Sequence, residues 1–271
     1  MDYVDTHCHI QSAGNNAGER ITSDIWAKHP GLNGQKLIDQ ATDVGVSKLI
    51  CVGCDVADSQ LAVSFAQAHS GVWGSVGIHP HEARTMAENE SAWRTFTALA
   101  AEPKVVAIGE CGLDYFYNHS SKVDQVKILH KQLELAQIHN LPVIFHVREA
   151  YDDFWPIFDQ YPGLRGVLHS YTDTVENMER AVGQGLYLGV NGIATFAKQE
   201  AQLTMYRTIP LSNLVLETDA PFLTPTPYRG SINEPKHIVT VASYLADLKS
   251  LELSELAATT TTNAKDLFGL D

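Results

Sequence analysis

The chain has no apolar run long enough to cross a bilayer, and its N-terminus lacks the basic-then-apolar layout of a secretory leader, so a cytoplasmic protein with no membrane partner is expected. Low-complexity tracts are missing too. With 44% hydrophobic and 19% charged residues, the composition is that of a folded chain rather than a disordered one. Cysteine is scarce: Cys8, Cys51, Cys54 and Cys111 are too few in 271 residues for a disulfide scaffold and fit reduced thiols. Cys51 and Cys54 form a C-x-x-C, but the pair ends an apolar run without the helix-opening context of a redox motif, and no second pair completes a zinc ribbon. Positive charge is also short, 19 Lys and Arg against 32 Asp and Glu, for a net charge of −13. Such a chain repels polyphosphate at long range, which excludes non-specific duplex binding through a broad basic face; any nucleic-acid chemistry has to be local. Nothing marks a break into two domains or an obligate protein partner, so residues 1–271 are expected to form one domain.

What the chain does have is alternation. Short β-like runs at residues 3–6, 48–52, 72–77, 105–109, 143–145, 166–168, 187–190 and 214–216 are separated by segments with apolar residues at helical spacing. Leu37, Ile38, Ala41 and Val44 mark one such segment, and Ile128, Leu129, Leu133, Leu135 and Ala136 another; residues 175–183, 235–248 and 253–268 follow. Eight strands each followed by a helix predict a single (β/α)8 TIM barrel of the usual size. The competing doubly wound sheet would show a glycine-rich phosphate loop after the first strand, where this chain has His7-Cys8-His9. Residues 11–30, rich in Gly, Asn and Ser, read as a long first βα loop over the active-site end.

Catalytic groups of such barrels gather at the carboxyl ends of the strands. The first run ends in His7 and His9, two imidazoles at i and i+2, which leave a strand on the same face and can grip one ion together. Alone that pair is weak, but the third run ends in His79 and His81, the fourth in Glu110, the fifth in His146, the sixth in His169 and the eighth in Glu217 and Asp219. The expected site holds two divalent metals: His7, His9 and Asp219 on the first, His146 and His169 on the second, Glu110 bridging. Paired ions about 3.5–4 Å apart acidify a shared water and clamp the attacking and leaving oxygens, and Asp219 can accept the proton as hydroxide attacks. Many imidazoles favour Zn²⁺, Mn²⁺, Co²⁺ or Ni²⁺, whereas Mg²⁺ prefers an oxygen shell.

Asp5-Thr6-His7-Cys8-His9, Gly77-Ile78-His79-Pro80-His81, Ile108-Gly109-Glu110-Cys111-Gly112-Leu113-Asp114-Tyr115, Pro142-Val143-Ile144-Phe145-His146-Val147-Arg148 and Leu216-Glu217-Thr218-Asp219-Ala220-Pro221 resemble the successive signatures of the TatD family of metal-dependent deoxyribonucleases, in the amidohydrolase superfamily. The likeness continues through Pro227-Tyr228-Arg229-Gly230 and Asn233-Glu234-Pro235 to Leu267-Phe268-Gly269. It implies a two-metal barrel that hydrolyses DNA phosphodiesters, often from a 3′ end, with Glu110 as the bridging carboxylate where many amidohydrolases use a carbamylated lysine. Some relatives are associated instead with deacylating D-aminoacyl-tRNA, and a non-catalytic metal-binding barrel is the third alternative. The chain departs from the family pattern at Ile10-Gln11, Ser170-Tyr171-Thr172 and Gly230-Ser231-Ile232, where the family more often has Leu-Asp, Cys-Phe-Ser and basic residues; none is an expected ligand.

Arg148 and Arg229 can each offer a bidentate fork to a substrate phosphate, or pair with Glu149 and Glu217. His79 and His81 belong to no expected metal shell and read as phosphate ligands or as a proton donor to the leaving oxygen. Glu217 is expected to orient a ligating histidine, and Asn233 to cap the helix that follows. Tyr115, Phe116, Tyr117 and Tyr171 could stack on a base or simply pack. His69, His130 and His139 read as ordinary helix residues.

Overall fold

The computed structural model describes residues 1–14, 21–117 and 119–271. Runs such as Val143, Ile144 and Phe145 are buried on both faces, the character of parallel strands covered by helices. Eight strands, β1 (Tyr3–Cys8), β2 (Val46–Val52), β3 (Val72–Val76), β4 (Val105–Asp114), β5 (Val143–Arg148), β6 (Gly166–Leu168), β7 (Tyr187–Val190) and β8 (Leu214–Leu216), follow one another in sequence order in one parallel sheet. The helices between them are α1 (Ile21–Ala27), α2 (Gly34–Asp43), α3 (Val56–Ala68), α4 (Ala83–Met86), α5 (Glu90–Leu99), α6 (Lys122–His139), α7 (Tyr151–Phe158), α8 (Val175–Gly183) and α9 (Glu200–Thr208), and α10 (Ile238–Lys249) and α11 (Leu253–Phe268) follow β8. This is the predicted (β/α)8 barrel.

Three strands run further at their carboxyl ends than the apolar pattern suggests. β1 continues to Cys8, β5 to Arg148, and β4 five residues beyond Gly109 to Asp114, so that His7, Glu110 and His146 lie inside strands rather than after them. Gly112, at φ +153°, explains the length of β4: any Cβ there would run into the His146 carbonyl, so a residue that resembles a strand breaker is what lets β4 lie against β5. Residues 11–30 differ from the expected open loop. A 3-10 turn at Ile10–Ser12 and α1 occupy part of the stretch, residues 15–20 lie outside the described residues, and the buried Trp26 indole donates to the His9 carbonyl at 3.0 Å.

Contacts group the chain into two compact units, residues 1–51 with 170–271, and residues 52–169. In the first, β8 returns to β1: the Asp219 N–H donates to the His7 carbonyl and the His9 N–H to the Ala220 carbonyl, both at 2.8 Å, with α11 packed on both strands. In the second, α6 starts at Ser121, whose hydroxyl accepts from the Asp124 N–H at 3.1 Å, and ends at Asn140 in the left-handed conformation. Two buried glutamines of α6 reach across to the strand ends. Gln132 accepts from the Ile78 N–H at 2.8 Å and donates to its carbonyl at 3.0 Å; Gln125 does the same for Asp114, at 2.8 and 3.0 Å. A primary amide matches one peptide group donor for acceptor, so each glutamine satisfies backbone groups that leave the sheet ladder there.

The end of α9 is closed by Lys249, whose ammonium donates to the carbonyls of Tyr206, Arg207 and Ile209 at 3.1, 2.8 and 2.7 Å, while burial lowers its pKa to about 8. Replacing it leaves helix-terminal acceptors without a donor. Lys249→Met is expected to cost about 1–3 kcal/mol in urea unfolding; an unchanged midpoint would show that water serves these carbonyls equally well.

Candidate active site

In the first unit, β1 directs His7 inward and the chain just past it carries His9; both are buried. Their Nε2 atoms lie 3.2 Å apart, and Asp219 Oδ1 lies 3.6 Å from His7 Nε2 and 3.3 Å from His9 Nε2. An ion held at about 2.0–2.2 Å by each ligand has donor–donor edges of about 3.0–3.5 Å, so this spacing suits one shared cation. Asp219 owes its position to a left-handed backbone at φ +57° and to the bond from its N–H to the His7 carbonyl.

Behind the pair sits Asp5, fully buried, accepting from the Thr218 N–H at 2.9 Å, the His7 N–H at 3.3 Å and the Thr218 hydroxyl at 2.6 Å. Burial pushes its carboxyl up to about 7 against the pull of those bonds. Asn233, expected as a helix cap, does something else. Its Nδ2 donates to the carbonyls of Thr218 and Phe222 at 2.8 and 2.6 Å, clasping the turn that carries Asp219, while Glu234 takes the cap position in a capping box with His237. Glu217 lies beyond the end of β8 and accepts from the Ser170 N–H at 2.7 Å and Asn191 Nδ2 at 3.0 Å. Gly189 on β7 leaves room for that carboxylate, since a Cβ there would collide with it.

In the second unit, the buried Glu110 of β4 is the centre. Its Oε1 lies 2.8 Å from His146 Nδ1, 3.6 Å from His79 Nε2 and 3.9 Å from His169 Nε2, and its Oε2 accepts from the Cys54 thiol at 3.7 Å. His79, Glu110 and His146 each offer a ligand atom within 4.8 Å of the others, which brings His79 into the group from which it was left out on sequence grounds. Burial, against the attraction of Glu110, holds the His79 imidazole well below its ordinary pKa, and a neutral ring keeps the lone pair that a metal requires.

Asp114 is the residue that sequence reasoning missed. It is fully buried, and one oxygen, Oδ2, takes both His146 Nε2 at 3.1 Å and His81 Nε2 at 3.0 Å. Its other oxygen accepts from the N–H groups of Phe116 and Tyr117 at 2.9 and 3.0 Å. Burial alone would raise its pKa, but the bonds from His146, His81 and the Tyr117 N–H win and hold it far below the ordinary carboxylate range. With the Nε2 proton committed to Asp114, Nδ1 is the atom that His146 could offer to a metal ion. The signal was there: residues 110, 112 and 114 share one face of a strand if Gly112 continues it.

Arg148, at the end of β5, places its guanidinium 4.0 Å from the centre of the Phe116 ring and 4.7 Å from that of Tyr117, and Arg229 lies 3.8 Å over Phe196. Tyr171 is buried with its hydroxyl donating to the Thr174 carbonyl, so it packs rather than offering a face to a base. The Tyr115 hydroxyl is bonded to Asp153 at 2.7 Å. His130 lies in α6, as expected, and bonds to the Tyr161 hydroxyl, whereas His69 falls just past the end of α3, in extended backbone, with its ring on the Phe65 carbonyl. All four cysteines are free. Among the described residues, no helix is long and apolar enough to cross a membrane.

A parallel (β/α)8 barrel whose strands end in buried imidazoles and carboxylates is the framework of a metal-dependent hydrolase. The chain belongs to the TatD family: the family described as TatD related DNase matches residues 4–269. It is 36% identical over 267 residues to the 3′-5′ ssDNA/RNA exonuclease TatD of Escherichia coli K12, covering 93% of this chain and 98% of that protein. It is 33% identical over 269 residues to an uncharacterized metal-dependent hydrolase, YabD, of Bacillus subtilis, covering 98% and 99%. The crystal structure of the TatD homolog YJJV from E. coli K12 superposes with a TM-score of 0.85 at 25% identity, covering 99% of this chain and 98% of that one. The protein is thus a metal-dependent hydrolase of the DNase type, and it uses divalent metal.

Two outcomes follow from this geometry. Asp114→Asn is expected to weaken Mn²⁺ binding about 10- to 100-fold in a competitive chelator titration while circular dichroism stays unchanged; wild-type affinity would show that Asp114 does not orient His146. His237, which burial holds below its ordinary pKa against the pull of Glu234, resists protonation in the folded chain. The unfolded chain binds that proton first as pH falls through about 6.5, so this part of the stability is present above that value and lost below it. The urea midpoint should drop between about pH 7.5 and 5.5, and His237→Gln should make the drop shallower; equal slopes would assign the loss to other groups.

Proposed function

We propose that the protein is a 3′-end exonuclease acting on DNA, cytoplasmic and working as one domain, with two divalent ions held by His7, His9, Glu110, His146, His169 and Asp219. The observation that carries this reading is the convergence of His7 Nε2, His9 Nε2 and Asp219 Oδ1 at 3.2–3.6 Å, the spacing of ligands around one cation. The cluster around Glu110 supplies the second donor set. The relative named as a 3′-5′ ssDNA/RNA exonuclease points to single-stranded ends, DNA or RNA, as the substrate. Four imidazoles among six ligands favour Zn²⁺, Mn²⁺, Co²⁺ or Ni²⁺ over Mg²⁺.

The bound ions supply Lewis acidity and lower the pKa of a nucleophilic water. The protein's own groups then do the following. Water attacks the terminal phosphorus, and its proton passes to Asp219. The bond from phosphorus to the 3′ oxygen of the penultimate nucleotide breaks. That oxygen takes a proton from His81, and Glu110 holds the ligands in register. Arg148 and Arg229 bind phosphate, each giving planar N–H donors to its oxygens. An acidic chain with local cations binds a strand end better than a duplex face.

The test is a panel of single-stranded DNA, 3′-overhang DNA, RNA and D-aminoacyl-tRNA, incubated with enzyme reloaded with each metal. A ladder shortened one nucleotide at a time from the 3′ end is expected, slowed by about 10²–10⁴ in Asp219→Asn. Intact strands with every metal sink the exonuclease reading, and release of the amino acid without shortening of the RNA would replace it with ester hydrolysis. Elemental analysis of the reloaded protein should give two ions per chain; one ion would sink the two-metal reading.

A further inference from the structure

Phe116 and Tyr117 are large aromatic side chains that packing does not explain. They are 48% and 49% exposed, and among the described residues only Tyr228 is an aromatic comparably open. All three leave about half of their surface to solvent, but Tyr228 lies flat on His237 at 4.7 Å, whereas Phe116 and Tyr117 are adjacent in the chain and meet edge to face at 4.7 Å. Leaving that much aromatic area in water forfeits the transfer free energy its burial would give.

Their backbone, by contrast, is held firmly. Both N–H groups donate to Asp114 Oδ1, and Asp114 is itself fixed by the reciprocal amide bonds of Gln125. Arg148 lies against both rings, and His119 lies nearly parallel to Tyr117 at 5.9 Å. A guanidinium on an aromatic face keeps its outward N–H edge for an anion. Lys122, 3.7 Å above the Tyr115 ring, adds a second cation nearby on a chain that is otherwise acidic.

We infer that Phe116, Tyr117 and Arg148 form a subsite for one unpaired nucleotide of a single-stranded polynucleotide, the base stacking on the aromatic rings and a flanking phosphate on the guanidinium. The inference rests on the nucleic-acid reading above and adds to it the place where the strand is gripped. Aromatic faces accept any base, and a cation beside them reads the backbone. Asp114 indexes this grip to the reaction centre, because the oxygen opposite the one that holds the loop carries His81 and His146. A duplex buries the faces of its own bases, so the subsite selects unpaired ends.

The test uses the full-length, metal-loaded protein and a phosphorothioate oligonucleotide with 2-aminopurine near its 3′ end, so that binding is read without hydrolysis. Stacking is expected to quench the fluorophore, and Phe116→Ala to weaken the Kd about 5- to 150-fold and diminish the quench. Phe116→Trp should stay close to wild type, and so should Ile138→Ala, an exposed position near the end of α6 and outside the subsite. Arg148→Gln should flatten the log–log salt dependence by about 0.7 for each phosphate it ceases to neutralise. Deoxyribo- and ribo-strands should lose affinity alike, since a stacked base is read without its 2′ position, and the same sequence as a duplex should bind weakly. Wild-type affinity and quench in Phe116→Ala, a loss confined to one sugar, or an unchanged salt slope in Arg148→Gln would each overturn the subsite. If wild type degrades the unmodified strand while Phe116→Ala binds normally, only the subsite falls; if wild type neither binds nor degrades any strand, the nucleic-acid reading falls with it.

Discussion

Two imidazoles and two backbone N–H groups converge on the carboxylate of Asp114, and much of residues 52–169 is arranged to permit that burial. A carboxylate taken out of water is stable only if nearly every lone pair finds a donor. Here the donors come from β5, from the turn after β3 and from the chain beyond β4. The strands therefore cannot shift independently without leaving a buried charge short of a partner. Asp5 meets the same difficulty by another route. Its donors are a hydroxyl and two amides, none of them a cation, and desolvation outweighs them, so its proton leaves only near neutrality. One fold thus keeps one carboxylate ionised through imidazole partners and another close to its titration point through their absence from the bonds it makes.

Metal-binding potential in this chain is a property of strand ends whose side chains are oriented by such partners. His7 and His9 present their Nε2 atoms at a separation that suits a common cation, and His146 presents Nδ1 because Asp114 claims the opposite nitrogen. Cavity space matters as much as the ligands themselves. Gly112 and Gly189 have no Cβ where a carbonyl or a carboxylate needs to pass, so residues without any functional group decide how closely β4 approaches His146 and where Glu217 can sit.

The barrel was legible in the sequence because parallel strands buried on both faces leave continuous apolar runs, and three of the eight, Gly166–Leu168, Tyr187–Val190 and Leu214–Leu216, coincide with those runs at both ends. The longer strands were cut short wherever a glycine or a charged residue interrupted the run, and β4 suffered most. That truncation hid Asp114, whose importance depends on the strand reaching it. His7, His9 and Asp219 were legible as ligand types at strand ends, while the clasp made by Asn233 was not, since its partners, Thr218 and Phe222, are set by the turn after β8 rather than by local helix-capping rules. Arg148 was recognisable as a cation just after the fifth apolar run, but its aromatic bed at Phe116 and Tyr117 required the three-dimensional path of the chain beyond β4.

The glutamines of α6 have a consequence for how the chain can change in length. Gln125 and Gln132 are seven residues apart, two helical turns and about 10 Å along one face. Each is locked to a peptide group at the end of a different strand, so the helix acts as a gauge for the offset between Ile78 and Asp114. An insertion of one residue between them would swing the second amide by about 100° and detach it from its strand. Surface substitutions on this helix, at positions such as Val123 and Ile138, leave the gauge untouched. Natural variation in α6 should thus be free in composition on its outer face and nearly forbidden in length between its two amides.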